Sequence, residues 1–578
     1  RKLADWMRRL RTENVAEAPP RGLPSGVLRS ESDRLAASFR AARFTGKALS
    51  QAALHSEQVW TADRLRAHAV AALGEAHELI IVSNREPYLH QWREGKARVI
   101  VPAGGLVTAL DPVLQACGGV WIAHGAGDAD RETADAGGRL TVPPGDARYT
   151  LRRVWLTRAE EEGYYYGFSN EGLWPLCHFA HERPVFRAGD WEHYRQVNRR
   201  FAEAVLEELG SGRAVVLVQD YQLALVPRLL KEARADLRVG LFWHIPWPNP
   251  EIFQIFPWHI PWPSPEAFRI CPWGAEVLHG MLGADLVGFH LPQYGNAFLD
   301  SVDRMLESRL DWDHFVVELG GRRTLVRPFP ISVQPWSERH VPAGEDLARQ
   351  VAALKAQHQL GDDIYVAVGV DRIDYTKGLP ERFRACARLL EKYPQYRGRF
   401  TLVELGAPSR THIPRYREHL DGLEALAEEI NWKYQTDAWK PIRFLVGHFD
   451  AATVHAFLHA APMCIVSSLH DGMNLVAKEY VAAQGAGDGV LVLSAFAGAA
   501  RELGDALLVN PYDTEQFADT IHRGMAMDAA ERRARMQRLA RQVEEHNIYR
   551  WAADFLAELA RAPAGNMASA RQAAAVQP

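Results

Sequence analysis

Short apolar runs alternate with amphipathic stretches over most of the chain. In the first half they cover residues 78–82, 215–218, 239–243 and 286–290, and residues 150–156 are a further candidate. Runs of this length without strict polar alternation are typical of strands that are buried on both faces. Because segments with helical spacing separate them, the pattern predicts a doubly wound, mostly parallel sheet.

A second series of apolar runs predicts a second unit of the same kind. Its strands are expected at residues 364–368, 400–405, 444–447, 463–467 and 490–493. Three prolines within residues 328–335 suit a linker between the two series. The sequence therefore predicts an α/β protein with two Rossmann-like domains, residues 78–335 and 336–547, which face a cleft.

The two ends of the chain lack this alternation of apolar runs and amphipathic segments. Residues 1–77 are rich in Arg and Ala, carry helix formers at 34–53 and 61–73, and are interrupted by proline and glycine at 18–26. We expect an N-terminal helical extension there, and favour a packing appendage over an oligomerisation or regulatory arm. Residues 548–578 are expected to begin with a helix, 548–561, that returns to the first domain. The remaining tail has few large apolar residues and is expected to be disordered.

One segment of the chain is duplicated. H-I-P-W-P-N-P-E-I-F-Q-I-F-P-W, from His244, is followed directly by H-I-P-W-P-S-P-E-A-F-R-I-C-P-W, from His259, and eleven of fifteen positions match. Prolines at this density exclude a helix or a central strand. His244 directly follows a predicted strand, where α/β sheets bind ligands, so we prefer it over His259 as the functional copy.

Bulk composition excludes several classes of function. The 578 residues are 47% hydrophobic and carry a formal charge of −4, so no basic excess points to nucleic acid. Five scattered cysteines without a C-x-x-C pair argue for a reducing compartment, and we expect a cytoplasmic protein. No apolar run approaches the roughly 20 residues of a membrane span. The chain begins with Arg1, so an upstream anchor would not be visible in this sequence.

The most informative stretch is V-D-R-I-D-Y-T-K-G-L-P-E-R at residues 370–382. Arg372 and Lys377 follow a predicted strand and precede a predicted helix, 381–391. An arginine fork and a lysine point charge at such a position suit a diphosphate. On spacing alone, two solvated surface cations explain these residues equally well.

Together with D-G-M-N-L-V-A-K-E at residues 471–479, this stretch resembles the retaining glucosyltransferases that form trehalose 6-phosphate. A related branch that forms glucosylglycerol phosphate shares most of these motifs. The resemblance spans roughly residues 79–560 and implies the GT-B arrangement of two Rossmann-like domains. It also implies a donor site for a nucleoside-diphosphate glucose, built from Arg372, Lys377, Asp471, Asn474, Leu475, Val476, Glu479, His448, Phe449 and Gly105.

Within that donor site the resemblance implies distinct roles. Amides of the helix that starts at Leu475 would hold the diphosphate together with Arg372 and Lys377, as helix N-termini do for anions. Asp471 would bind the transferred glucose, and Glu479 the ribose hydroxyls. His448 and Phe449 would line the base pocket. The alternative for Glu479 is a solvated helix face on which it pairs with a lysine, and the intact motif favours the binding role.

The resemblance implies an acceptor site in the first domain. Arg85 and Arg410 would bind the acceptor's phosphate, Arg410 reaching across from the second domain. Tyr165 and Trp174 would line the acceptor sugar, although ordinary core aromatics explain them as well. Asp220 would accept a hydrogen bond from the attacking hydroxyl. We expect glucose 6-phosphate as acceptor, with glycerol 3-phosphate as the alternative.

Three motifs depart from the family pattern. W-I-A-H-G places His124 where a second acceptor tryptophan belongs, the H-D-Y-H element reads Q-D-Y-Q with Gln219 and Gln222, and L-R-D-G reads L-H-D-G with His470. The donor half is thus nearly intact and the acceptor half is altered. The donor base and the acceptor therefore stay open.

The implied mechanism is front-face transfer with retention, in which the leaving phosphate accepts the acceptor's proton. Arg372, Lys377, His244 and Asp220 would be its catalytic residues. D-A-D at residues 128–130 resembles the metal-binding triplet of other transferases, but its glycine-rich surroundings favour a turn, so neither an essential metal nor a cofactor is expected.

A homo-oligomer is expected. The alternatives from other classes are a non-catalytic sugar-phosphate-binding regulator and a transferase that joins cyclitols through nitrogen.

Overall fold

The computed structural model describes residues 59–562, apart from 75–76, 103–104, 179, 181, 249–264, 336–337, 339–341 and 486. All described residues fall in one compact unit, Ser56–Pro578. The helix predicted at 34–53, the tail from residue 563 and His259 lie outside the described residues.

The described strands are numbered in chain order. They are β1 (His77–Arg85), β2 (Leu89–Arg93), β3 (Lys96–Ile100), β4 (Val120–His124), β5 (Arg139–Val142), β6 (Tyr149–Val154), β7 (Arg213–Gln219), β8 (Arg238–Trp243), β9 (Leu286–Phe289), β10 (Arg309–Asp311), β11 (Val316–Leu319), β12 (Arg322–Pro328), β13 (Tyr365–Arg372), β14 (Phe400–Ala407), β15 (Ile442–Val446), β16 (Met463–Val466), β17 (Val490–Ser494) and β18 (Leu507–Val509).

The described α-helices are numbered in the same way. They are α1 (Ala62–Leu73), α2 (Gly105–Cys117), α3 (Asp130–Thr133), α4 (Arg158–Glu161), α5 (Trp174–Cys177), α6 (Ala188–Leu209), α7 (Val226–Ala233), α8 (Gly274–Met281), α9 (Pro292–Met305), α10 (Gly344–Gln357), α11 (Leu379–Lys392), α12 (Pro414–Tyr434), α13 (Ala451–Ala460), α14 (Leu475–Gln484), α15 (Thr514–Ala526), α16 (Ala529–Glu545) and α17 (Ile548–Arg561). A π-helix covers Glu162–Leu173.

The first large sheet has the order β10-β11-β12-β9-β8-β7-β1-β4-β6-β5. The seven strands from β12 to β6 are parallel. At the two edges β11 and β5 run antiparallel to them, and β10 pairs antiparallel with β11. The hydrophobic runs predicted five of the seven parallel strands, β1, β6, β7, β8 and β9, and missed β4 and β12. They did not predict the edge strands, which are short and partly exposed and therefore lack a continuous apolar run.

The second sheet, β15-β14-β13-β16-β17-β18, is parallel throughout. Successive residues of β13 face different cores: Val366 and Val368 belong to one apolar cluster and Ala367 to another. Helices cover both faces, as a doubly wound sheet requires. The two predicted Rossmann-like sheets are therefore present, and the exact domain boundaries stay a prediction.

Helix α17 returns to the first sheet, as the sequence predicted. Its Phe555 ring packs against Phe242 of β8 and against Phe329. The Arg238 guanidinium donates to the carbonyls of Leu559 and Ala560 at the end of the helix, at 2.9 and 2.6 Å. The Leu559 carbonyl also accepts from the Ala562 N–H, and the arginine supplies a further donor at this end of the helix.

The proline-rich connection between the sheets is not an exposed linker. Phe329, Ile331 and Val333 are buried in the apolar cluster that also contains Val366 and Phe555. The segment therefore packs as part of a core that is continuous between the two sheets.

None of the helices within the described residues is long and apolar enough to cross a lipid bilayer.

We expect the Phe555→Ala substitution to lower the free energy of unfolding by about 3–5 kcal/mol, because it removes a fully buried aromatic ring from the core between helix and sheet. Urea denaturation followed by circular dichroism measures this change. Trp432→Ala is the matched control: the Trp432 side chain is 85% exposed, and its loss should change stability by about 0.5 kcal/mol or less. Equal effects of the two substitutions would contradict the packing of α17.

Candidate active site

The carboxyl ends of the parallel strands carry most of the predicted site residues. Arg85 ends β1, Asp220 follows β7 and His244 follows β8 in the first sheet. In the second sheet Arg372 ends β13 and Asp471 follows β16. Parallel strands end at a common edge, so each group shares one edge of its sheet.

Close contacts between the lobes bring these two edges together. A Cβ atom at Gly472 would clash with the carbonyl oxygen of His244, so only glycine permits this approach of the two backbones. A Cβ at Gly105 would lie 3.0 Å from Cδ1 of Leu475. The two predicted half-sites therefore face each other.

On the second lobe, the Asp471 carboxylate is held in a network. Lys377 Nζ lies 2.5 Å from its Oδ2, which also accepts from Ser468 Oγ at 3.1 Å and Asn474 Nδ2 at 3.2 Å. Burial alone would raise the pKa of Asp471, but Lys377 outweighs burial and lowers it to about 2. The network thus fixes an ionised carboxylate at the edge of the cleft.

Helix α14 begins directly beyond this network. Asn474 adopts a positive φ of 73°, and its Oδ1 accepts from the backbone N–H of Ala477 as a helix cap. The first amides of α14, from Leu475 and Val476 onward, have no acceptor within the helix, and a helix N-terminus favours an anion. Glu479 lies in the second turn of α14 and is half-buried.

The two residues predicted for the base pocket lie further along the second sheet. His448 is exposed and Phe449 is half-buried against the core, and both follow β15. Because β15 is the edge strand, two strands away from β13, these residues mark the outer end of the donor side.

The residues predicted for the acceptor's phosphate surround the Tyr165 phenol. Arg85 Nη2 donates to Tyr165 Oη at 3.3 Å. Burial would raise the pKa of Tyr165, but Arg85, Arg410 and Arg372 together lower it to about 7. Three arginines from two lobes therefore converge on one phenol.

Trp174 also contacts two of these cations. The guanidinium carbon of Arg410 lies 4.0 Å from the centre of the indole ring, and that of Arg372 lies 5.5 Å from it. The His178 ring stacks on the same indole with centroids 4.0 Å apart. The sequence led us to expect an aromatic face for a sugar. In this structure the indole contacts guanidinium groups, as a cation–π interaction, and its role toward a sugar stays a prediction.

Arg410 is held by partners from both lobes. Its Nη1 donates to Asp374 Oδ2 at 2.6 Å and to Tyr416 Oη at 2.7 Å, and its Nη2 lies 3.5 Å from Tyr221 Oη of the first lobe. Arg372 differs: within the described residues it makes no hydrogen bond or ion pair. Of the three arginines, Arg372 is the one most directly available to a ligand.

Asp220 and His244 are linked at the ends of β7 and β8. The backbone N–H of His244 donates to Asp220 Oδ1 at 3.0 Å, and Asp220 has a positive φ of 72°, a conformation that is concentrated at functional sites. Burial raises the pKa of Asp220 to about 7. His244 Nε2 lies 2.8 Å from Gln219 Oε1, which places the proton of the neutral ring on Nε2.

The sequence was then compared with known proteins. The profile of glycosyltransferase family 20 matches residues 77–258 and 256–561. The chain is 37% identical to the trehalose-6-phosphate synthase of Mycobacterium avium over 505 residues, which cover 86% of this chain and 97% of that protein. It is 38% identical to the corresponding synthase of Mycolicibacterium smegmatis, over 84% and 92% of the two chains.

The chain belongs to glycosyltransferase family 20.

Solved structures agree with this assignment. An E. coli structure bound with UDP-2-fluoro glucose superposes with a TM-score of 0.69 at 32% identity, over 84% of this chain and 99% of that one. An α,α-trehalose-phosphate synthase from Burkholderia xenovorans in complex with glucose-6-phosphate superposes with a TM-score of 0.69 at 30% identity, over 83% and 99%. The protein is thus an α,α-trehalose-phosphate synthase-like glycosyltransferase with the GT-B fold. The two profile matches meet at residues 256–258, inside the duplicated segment.

A buried ionic cluster supports the donor strand of this glycosyltransferase. Arg382 is fully buried and donates to Glu404 Oε2 at 2.5 Å, to Asp371 Oδ2 at 2.6 Å and to Ser467 Oγ at 3.0 Å. Ser467 Oγ in turn contacts the carbonyl oxygen of Lys377 at 3.0 Å. The cluster therefore ties the ends of β13, β14 and β16 to the Lys377 loop.

The D-A-D triplet of the glycosyltransferase has its carboxylates engaged elsewhere. Asp130 is buried and forms an ion pair with Arg153 at 2.8 Å, and Asp128 accepts from the backbone N–H of Trp92 at 2.8 Å. Among the described residues, no group of three or more His, Cys, Asp or Glu is arranged to hold a metal ion.

Several neighbours of the site were not singled out from the sequence. Asp374 and Arg382 lie inside the motif at residues 370–382, and Tyr221 lies inside Q-D-Y-Q, so the motifs themselves were the available signal. His178 and Tyr416 lie outside the motifs, four residues after Trp174 and six residues after Arg410, and no pattern marked either of them.

We expect Arg382→Met to destabilise the glycosyltransferase by about 3–5 kcal/mol, because it leaves Asp371 and Glu404 buried without a counter-charge. Arg372→Met leaves no carboxylate unpaired, so its effect should be about 1 kcal/mol or less. Thermal and urea unfolding of the two variants side by side measure the difference. Similar losses of stability would show that Arg372 has a structural role.

Proposed function

We propose that this glycosyltransferase transfers glucose from a nucleoside-diphosphate glucose to glucose 6-phosphate and forms trehalose 6-phosphate with retention at the anomeric carbon. The names of its relatives support the product, and the ligands of the E. coli and Burkholderia structures support both substrates. The site residues of this chain provide the chemistry for each substrate.

The observation that carries the proposal is the charge balance of the cleft. Arg85, Arg372 and Arg410 converge around Tyr165, and Asp374 is the carboxylate that pairs with one of them. A sugar phosphate carries nearly two negative charges at neutral pH. Such a ligand would bring negative charge to these cations and could accept hydrogen bonds from guanidinium groups of both lobes. The cluster thus fits a phosphorylated acceptor better than a neutral sugar.

The donor side suits a diphosphate. Arg372 offers a guanidinium that makes no hydrogen bond or ion pair among the described residues, Lys377 lies nearby on the same loop, and the amides at the start of α14 add donors. In this proposal Glu479 on α14 binds a ribose hydroxyl and Asp471 binds the transferred glucose. His448 and Phe449 are left for the base.

The transfer needs one bond exchange. The anomeric hydroxyl of the acceptor forms the new bond to C1 of the glucosyl group on the face from which the diphosphate departs. As the bond from C1 to the diphosphate oxygen breaks, that oxygen takes the hydroxyl proton. Arg372, Lys377 and the α14 amides stabilise the charge that develops on the diphosphate. Asp220 accepts a hydrogen bond from the hydroxyl, and His244 positions the glucosyl group.

A double-displacement mechanism needs a carboxylate nucleophile close to C1. Asp471 Oδ2 is already engaged by Lys377, Ser468 and Asn474, and Asp220 is bound by the His244 amide. Both carboxylates are thus held as hydrogen-bond acceptors, which favours front-face transfer.

We expect nucleotide release from UDP-glucose with glucose 6-phosphate, and at most weak release with glycerol 3-phosphate. Each acceptor is tested with UDP-, ADP- and GDP-glucose, and NMR of the product gives the anomeric configuration. Arg372→Met should lose activity while keeping its fold, because the leaving diphosphate loses its free cation. Preference for glycerol 3-phosphate would assign the related branch instead, and no release with any pair would favour a binding regulator.

The pH dependence tests the role of Asp220. Its pKa is raised to about 7, so the carboxylate is protonated below that pH and kcat/KM should fall as the pH drops through 7. We expect Asp220→Asn to lower kcat/KM roughly 10- to 100-fold, the worth of a charged hydrogen bond, and to remove that limb. A remaining limb near pH 6 would belong to the acceptor's phosphate. An unchanged profile would exclude Asp220 as the group that titrates.

A further inference from the structure

We propose that Asp374 couples the two substrate sites: it joins the acceptor-phosphate arginine, Arg410, to the loop that carries Arg372 and Lys377. Asp374 is a positioning residue. Because it couples the two sites, nucleotide and acceptor bind cooperatively. The inference rests on the proposed function, because it takes the roles of these three cations from it.

The two oxygens of Asp374 have different partners. Oδ2 accepts from Nη1 of Arg410 at 2.6 Å. Oδ1 accepts from the backbone N–H of Thr376 at 3.0 Å and from its hydroxyl at 2.9 Å. One carboxylate therefore bridges the arginine and the loop.

The bridge is rigid because it is buried. Asp374 and Thr376 have no exposed surface, and Asp374 begins the single 3₁₀ turn Tyr375–Lys377. Burial would raise the pKa of Asp374, but Arg410 and Arg372 lower it, so the bridge stays ionised at neutral pH. An ionised carboxylate shielded from water makes strong, directional hydrogen bonds to both partners.

The position of Asp374 in the chain explains how nucleotide binding could orient Arg410. It lies two residues after Arg372 and three before Lys377, and Lys377 N–H donates to its carbonyl at 3.0 Å. A diphosphate that fixes Arg372 and Lys377 fixes this turn, and with it the carboxylate that orients Arg410. The acceptor's phosphate then meets an arginine that is already oriented, so less conformational entropy is lost on binding.

Arg410 also has a hydrogen-bond partner outside the loop that carries Asp374. Tyr416 Oη lies 2.7 Å from the same Nη1, and Tyr416 belongs to α12 rather than to the 370–378 segment. Loss of this contact should weaken Arg410 equally with and without nucleotide. Tyr416→Phe is therefore a control that perturbs Arg410 without cutting the bridge.

The experiment measures a ratio of affinities. The Kd of glucose 6-phosphate is determined by calorimetry with and without saturating UDP, and the Kd of UDP with and without glucose 6-phosphate. Coupling is reciprocal, so the two ratios must agree, and allosteric couplings are typically about 5- to 150-fold. We expect roughly tenfold tighter binding for the wild-type protein, and a ratio within about twofold of one for Asp374→Asn. Tyr416→Phe should weaken acceptor binding but keep the wild-type ratio.

Two results would overturn the inference while the proposed function stands. One is an active wild-type enzyme whose ratio is one, and the other is a ratio in Asp374→Asn equal to that of the wild type. Should Asp374→Asn fail to fold, Thr376→Val removes the hydroxyl contact on the loop side and should reduce the ratio as well; an unchanged ratio would again overturn the inference. A wild-type protein that releases nucleotide from none of UDP-, ADP- and GDP-glucose would remove the proposed function and this inference together.

Discussion

Repulsion between like charges is the interaction on which the candidate site depends. Arg85 and Arg410 both lower the pKa of Arg372, in addition to burial, so the three guanidinium groups destabilise one another. The folded protein offsets this with Asp374, with the indole of Trp174 and with the phenol of Tyr165. None of these removes the excess charge, so the cleft favours a ligand that brings negative charge from solvent.

Such a cluster persists because its backbone supports are rigid. The arginines occupy strand ends or a loop directly behind them, and the strands are fixed by parallel pairing in two sheets. The buried side chain of Arg382 joins β13, β14 and the residue after β16 through its contacts with Asp371, Glu404 and Ser467. Within the 370–382 motif, therefore, Arg382 forms two ion pairs, whereas Arg372 forms none among the described residues. Arg382 thus supports the loop that carries Arg372.

Much of the fold could be predicted from the sequence, because buried parallel strands have a strong local signal. The runs at 364–368 and 400–405 correspond to β13 and β14, and α17 has the predicted bounds of 548–561. The antiparallel edge strands and the π-helix that carries Tyr165 were not predicted. Both depend on tertiary packing, which overrides local preference. The site was accessible through motifs, whereas the bridge from Asp374 to Arg410 was not, because it joins segments 36 residues apart.

Two of the departures from the family pattern, His124 and His470, concern the positive charge of the site. Burial lowers the pKa of His124 to about 4 and places that of His470 well below its usual value, so both rings are neutral at physiological pH. His124 pairs with Arg85 across β1 and β4 and adds no further cation to the arginine cluster. At position 470 the family pattern has arginine, so the neutral histidine removes a positive charge next to Asp471. Lys377, at 2.5 Å, is then the main cation that keeps this carboxylate ionised.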